Sequence, residues 1–321
     1  MQAAVVYSLS APPRFEQFRE PELQEGEVLV EVKAAGLHPI VKSLASGTHY
    51  GSTGELNFIA GLDGVGRLPD GKRVYFGGIR KPFGSMAERA AVPSSMCIPL
   101  ADGLKDETAA AIANPGMSSY AALTVRSPLK AGENVLILGA TGVAGQLAVQ
   151  AAKHLGAKRV VAAGRNPEAL EKLKDLDADA LISLEQDDAT LVAAFQREIA
   201  ENGVDIVLDY LWGKPAEAVL AAIAQKGLSH IAPRIRYLQV GSSAGPTISL
   251  PAATLRSSGL ELLGSGFGSV TIDTIMRSVA EFLSVAATAN FRIVTQSAPL
   301  SDVERMWNSP TQGARLVFLP S

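Results

Sequence analysis

The sequence predicts an α/β protein in which a doubly wound, parallel six-stranded sheet is joined to a second, mostly-β domain. Three observations predict it. Six apolar runs, "NVLILGA", "RVVAAG", "ALISL", "DIVLDYL", "RYLQVG" and "LELLGSG", succeed one another in the middle of the chain. Helical stretches such as "GQLAVQAAKHLGA", "NPEALEKLKDL" and "AEAVLAAIAQKG" separate them. Strands that are apolar throughout and alternate with helices belong to a parallel sheet covered on both faces. The first 110 or so residues behave differently: "GEVLVEVKAAGL" alternates around Val28, Val30 and Val32, and "GKRVYFGG" and "AERAAVP" are short β runs between glycines or prolines.

At 321 residues the chain is long for one core, so more than one domain is expected. The change of rhythm divides it into a β-rich part over residues 1–115 and a six-stranded part over 116–266. Residues 267–321 hold a helix from Thr271 to Val285 and a strand-like tail, "FRIVTQSAPL", which lacks a helix-separated partner and is expected to pair with the first domain. A net charge of −3 supplies no basic field for nucleic acid. One cysteine, Cys97, rules out an internal disulfide framework and suits a reducing compartment. "MQAAVVYSLS" lacks the basic start and long apolar stretch of a secretory signal, and no run has the length of a membrane helix. A cytoplasmic protein is expected, without membrane or nucleic-acid partner.

Chemistry enters with "GATGVAG". A strand is read to end at Ala140 and a helix to begin near Val143, and the turn between them needs residues of unusual backbone freedom. Gly142 leaves the backbone open to a phosphate, and Gly145 lets the helix pack close to the strand. The free N–H groups and positive end of that helix then face a pyrophosphate. Inside a βαβ unit, this A-x-G-x-x-G over Ala140, Thr141, Gly142, Val143, Ala144 and Gly145 reads as a dinucleotide site. The residue that chooses the dinucleotide should follow the second strand. An NAD site places an acid there, whereas this chain has Gly164-Arg165-Asn166, with Glu168 the first carboxylate. A guanidinium forks onto a 2′-phosphate, so NADPH is the expected cofactor. Asn166 also suits a helix cap, with Pro167 in the first turn. Gly241 and Ser242 in "GSSAG" stand at the carboxyl end of a parallel strand, where such sheets bind ligands. Phe267 in "GSGFGS" completes the candidate set.

Four further segments carry a family resemblance. "AAGLHPIVKSLASGTHY" resembles G-x-N-P-x-D…R-x-G-x-Y, and "GLDGVGRL" resembles P-G-x-D-x-x-G-x-V. "GSMAERAAVP" is similar to G-x-[YF]-A-E-[YF]-x-x-V-P, and "GMSSYAAL" to G-[LM]-T-A-Y-x-A-L. In this order, with the dinucleotide motif, they resemble the zinc-independent quinone oxidoreductase branch of the medium-chain dehydrogenase/reductase superfamily, nearly end to end. The resemblance implies a Rossmann cofactor domain, a GroES-like catalytic domain and a homodimer. His38, Val41, Ala45 and Ser118 replace the family's Asn, Asp, Arg and Thr, which points to a subgroup with its own substrate.

Zinc-dependent relatives need three ligands where this chain resembles them at His38, Leu62 and near Asn114, and a four-cysteine lobe that one cysteine cannot form. An imidazole, a leucine and a carboxamide make no tetrahedral site, and His38, His49, His154 and His230 lack ligand spacing. No metal is expected. Without a Lewis acid, the acceptor must already be electrophilic, as quinones and α,β-unsaturated carbonyls are. An enone also needs a proton. His38 and Tyr50 are the candidate donors, on the segment that the resemblance places along the cleft. For His38 the other reading is a fixed hydrogen bonder, and for Tyr50 a pocket wall. His38, beside Pro39, reads as a loop residue able to change protonation near neutral pH. Ser118 either touches the nicotinamide end or caps a helix, and Trp212 is either a wall or packing. The alternative to an enzyme is an NADPH-binding redox sensor with little turnover.

Overall fold

The computed structural model describes residues 1–224, 232–311 and 313–320. The chain divides into two compact units, Met1–Pro115 with Val279–Ser321, and Gly116–Ser278.

The first unit begins with β1 (Gln2–Val6), β2 (Arg14–Gln17) and β3 (Glu27–Gly36), followed by α1 (Pro39–Ala45). Five short strands come next: β4 (Phe58–Ile59), β5 (Gly64–Arg67), β6 (Arg73–Phe76), β7 (Arg89–Pro93) and β8 (Cys97–Pro99). The helix α2 (Asp106–Ala121) runs on from this unit into the second. β1 lies between β2 and β4 in a small antiparallel sheet. β3, the longest strand, pairs antiparallel with β5 and with β7. The alternation around Val30 and Val32 has the expected consequence: both are buried, in a cluster with Val74, Phe76 and Val92.

The second unit alternates strands and helices: β9 (Asn134–Leu138), α3 (Val143–His154), β10 (Arg159–Gly164), α4 (Pro167–Glu171) and β11 (Ala180–Ser183). It continues through α5 (Asp188–Asn202), β12 (Ile206–Asp209), α6 (Gly213–Ile223), β13 (Arg234–Gln239), α7 (Ala252–Arg256) and β14 (Gly259–Gly264). The sheet is parallel throughout, in the order β11-β10-β9-β12-β13-β14. Fully apolar strands end up here because both faces are covered: Val135 and Ile137 enter one core cluster, Leu136 and Leu138 another. The chain order reverses between β9 and β12, which leaves a crevice at their carboxyl ends.

α8 (Ile272–Thr288) leads back to the first unit, where β15 (Thr295–Pro299), α9 (Val303–Met306) and β16 (Arg315–Leu319) complete the chain. β15 pairs parallel with β16, and β16 pairs antiparallel with β3, so the strand-like tail joins the sheet of the first unit through β16. Among the described residues no helix is long and apolar enough to cross a membrane.

Candidate functional site

The turn after β9 is built by glycines with separate duties. The strand ends at Leu138, two residues before the expected Ala140, because Gly139 takes φ +82° and starts the turn. The sequence reading missed Gly139; the positive φ it supplies has no signature beyond glycine itself. A Cβ on Gly145 would lie 2.4 Å from the Gly139 carbonyl oxygen and 2.5 Å from Ala140 Cα, so only glycine lets α3 seat this close to β9. Gly142 is different. It is exposed, caps α3 with extended backbone, and a Cβ there would meet nothing nearer than 3.5 Å. The space beside Gly142 is therefore open. The first N–H groups of α3, those of Val143 and Ala144, have no partner inside the helix. Thr141 is half-buried beside Gly164, where a Cβ would lie 2.5 Å from Thr141 Cγ2, so the end of β10 rests on the turn.

β10 delivers Gly164 to this turn and leaves Arg165 exposed immediately beyond. Asn166 caps α4, its side-chain oxygen accepting the Ala169 N–H at 2.9 Å, with Pro167 in the first turn. The cap holds the backbone still while Arg165 projects freely. At the carboxyl end of β13, Gly241 packs on the Tyr210 backbone (a Cβ would lie 2.8 Å from its carbonyl oxygen), and Ser242 is exposed. Ser118 is half-buried on α2. The Ser118 and Ser119 hydroxyls partly offset the burial that pushes the Tyr210 phenol up to about 12. Trp212 packs edge-on against Tyr237, with ring centroids 6.4 Å apart. Phe267 is partly exposed after β14.

The first unit holds a different constellation. His38 is not on an exposed loop: it is the N-cap of α1 and only 1% exposed. Its ring fits because residue 36 is glycine, where a Cβ would lie 2.6 Å from His38 Nε2. Neither ring nitrogen has a hydrogen-bond partner of ordinary geometry, and Nε2 stands 3.9 Å from Asp63 Oδ2. Burial first, and the Arg315 guanidinium second, hold the imidazole well below its usual range, against the opposing Ala110 carbonyl. His38 is therefore neutral at neutral pH, contrary to the expected titration. Asp63 is buried too, and burial lifts its carboxyl to about 7, while the Tyr75 hydroxyl (2.9 Å from Oδ2) and Arg315 pull the other way. Arg315 donates to the Leu37 carbonyl at 2.8 Å, and burial lowers it to about 10. In the sequence Asp63 simply follows Leu62, and Tyr75 and Arg315 carry no signal. Tyr50 is 77% exposed and its ring stacks on His49, centroids 4.1 Å apart.

This donor set does not suit zinc. Leu62 offers no lone pair, and among the described residues no three His, Cys, Asp or Glu side chains gather as metal ligands. His230 lies outside the described residues.

The family described as "Zinc-binding dehydrogenase" matches residues 144–284, which lie outside the first unit's His38–Leu62 region. A protein of Emericella nidulans named "Probable NADPH-dependent quinone reductase" is 26% identical over 100% of both chains. The NADPH-dependent alkenal/one oxidoreductase of Arabidopsis thaliana is 30% identical over 178 residues, 50% of this chain and 46% of that one. Among solved structures, the quinone oxidoreductase of Thermus thermophilus, known also in complex with NADPH, is 28% identical with a TM-score of 0.81, covering 99% of this chain and 100% of its own. The parallel sheet with its glycine turn has the architecture of a dinucleotide-binding domain. Over its whole length the chain is thus similar to a quinone reductase and to a quinone oxidoreductase.

Proposed function

We propose that this protein is a zinc-independent, NADPH-dependent oxidoreductase that delivers hydride to quinones or α,β-unsaturated carbonyls. The observation that carries this reading is the open turn at Gly142, heading α3, with Arg165 exposed beyond the adjacent strand. Bound NADPH supplies the hydride. The chain's part is to orient it: N–H groups of Val143 and Ala144 for the pyrophosphate, and the Arg165 fork for the 2′-phosphate. Gly241, Ser242, Ser118 and Phe267 are proposed as further contacts, within a cofactor domain of residues 116–266. Tyr50 is the proposed donor to an enone oxygen, through its exposed phenol; His38, the other candidate, is buried with both ring nitrogens shielded, so donation through the N–H of its neutral ring requires the acceptor to reach into its pocket.

A homodimer is supported by β14. It is the outer strand of its sheet, with Leu262 37% exposed, and an open edge of this kind is relieved by pairing with a second copy. The single cysteine supports a cytoplasmic setting.

The test is NADPH oxidation, followed by nicotinamide absorbance, against a panel of quinones and enones with and without chelator. Turnover that is indifferent to chelation supports the reading. NADPH binding with no turnover on any acceptor would mark a sensor instead.

A further inference from the structure

Asp209 closes β12 with a fully buried side chain. Its Oδ1 accepts two backbone N–H groups, from Leu211 at 2.7 Å and from Trp212 at 2.9 Å. Its Oδ2 accepts the phenolic O–H of Tyr237 at 2.7 Å. The backbone held in this way is strained. Trp212 has φ +56° and ψ −157°, a conformation that glycine adopts freely and other residues avoid. Gly213 follows at φ +58°, and a Cβ there would lie 2.8 Å from the Ala244 carbonyl oxygen. The loop after β13 is tied in as well: Ala244 N–H donates to the Leu211 carbonyl at 2.8 Å, and Ser243 Oγ to the Tyr210 carbonyl at 3.0 Å.

The consequence falls on the neighbouring strand. β12 runs beside β9, Asp209 opposite Leu138, and the residue after Leu138 is Gly139. A Cβ on Gly139 would lie 3.0 Å from Leu211 Cδ2 and 3.4 Å from Tyr210 Cβ. Leu211 is thus the surface against which the glycine turn rests, and Asp209 holds the Leu211 backbone. A loop that only joined β12 to α6 could place glycine at 212 without strain. This chain instead spends a buried carboxylate on holding a tryptophan there.

We propose that Asp209 is a positioning residue for the dinucleotide turn: through Leu211 and Gly139 it sets the N–H groups of Val143 and Ala144 for the pyrophosphate. This rests on the NADPH reading above. The experiment titrates wild type, Asp209→Ala, Asp209→Asn and Tyr237→Phe with NADPH and with adenosine 2′-monophosphate, which lacks the pyrophosphate and reports on the Arg165 end. Wild type that binds neither ligand overturns the cofactor reading itself, before any variant is examined. With wild-type binding in hand, Asp209→Ala raises the NADPH Kd by about tenfold or more and leaves adenosine 2′-monophosphate within about twofold. Asp209→Asn keeps an oxygen for both N–H groups and restores most of the affinity. Should Asp209→Ala fail to fold, Tyr237→Phe carries the test, because it removes one hydroxyl and should raise the NADPH Kd by about threefold with the fragment unchanged. The proposal is overturned by a folded Asp209→Ala that binds NADPH like wild type, or by losses in NADPH and fragment affinity that run in proportion. With Asp209→Ala unfolded, an unchanged Tyr237→Phe overturns it.

Discussion

Tyr75 donates its phenolic hydrogen to Asp63 Oδ2 at 2.9 Å, and both side chains are out of reach of water. His38 stands on the same carboxylate oxygen at 3.9 Å, so two titratable groups with opposite responses to burial share one small space.

Their effects on stability oppose each other. The folded chain keeps Asp63 protonated up to about pH 7, whereas the unfolded chain ionises it near its ordinary value of 3.8. Between those values the folded state holds the extra proton, so this group's contribution falls as pH rises from about 4 to 7. His38 behaves in reverse. Held well below 6.5 in the folded chain, it takes up its proton first in the unfolded chain, so its contribution falls as pH drops through 6.5. Relative to wild type, Asp63→Asn should therefore lose stability between pH 8 and pH 5, by on the order of 2 kcal/mol. His38→Gln should gain over the same interval. Denaturant unfolding at the two pH values measures both, and difference curves of the same sign would refute the arrangement.

The proposed catalytic role of His38 is separable from that titration. A neutral imidazole donates a hydrogen bond without gaining charge, so the rate should show no limb near pH 6.5 from this group. His38→Ala should slow enone reduction by about tenfold or more and quinone reduction much less, since a hydrogen bond to a developing oxyanion is worth about 10²–10³-fold. Rates on both acceptors at saturating NADPH decide it. Parallel losses would make His38 a structural residue.

The glycine turn predicts opposite behaviour at two positions three residues apart. Gly145→Ala forces a methyl to within 2.4 Å of a backbone oxygen, and the fold should lose about 1–3 kcal/mol. Gly142→Ala has room and an ordinary φ of −75°, so the melting temperature should hold while the methyl stands where the pyrophosphate approaches. Melting curves beside NADPH titrations separate the two. Wild-type NADPH affinity in Gly142→Ala would mean that the open space serves another purpose.

Arg165 is exposed after β10, and the Asn166 cap does not depend on it. Arg165→Ala should raise the NADPH Michaelis constant by about tenfold, the loss shrinking at high salt, and leave NADH almost unaffected. Equal losses with both cofactors would remove Arg165 from the 2′-phosphate.

Much of this molecule was legible because its signals are local. The apolar runs, the helices between them, the close-packed Gly145 and the Asn166 cap each depend on neighbours within a few residues, where period and capping chemistry operate. α1 escaped notice because seven residues opening on Pro39 carry too little periodicity. Gly139 escaped because Ala140 took the first place of the motif.

By itself, the sequence determined the parallel alternating sheet, the glycine turn that heads α3 and the basic residue, Arg165, that is proposed to meet a 2′-phosphate. Tertiary structure alone decided how each polar group is charged and held. His38 became a buried, neutral ring because its desolvation, and secondly the Arg315 guanidinium from far along the chain, disfavour the charged form. Asp63 and Asp209 became buried carboxyls because Tyr75 and Tyr237 arrive from other strands to meet them. Desolvation depends on which distant segments pack together, and no window of adjacent residues contains that information.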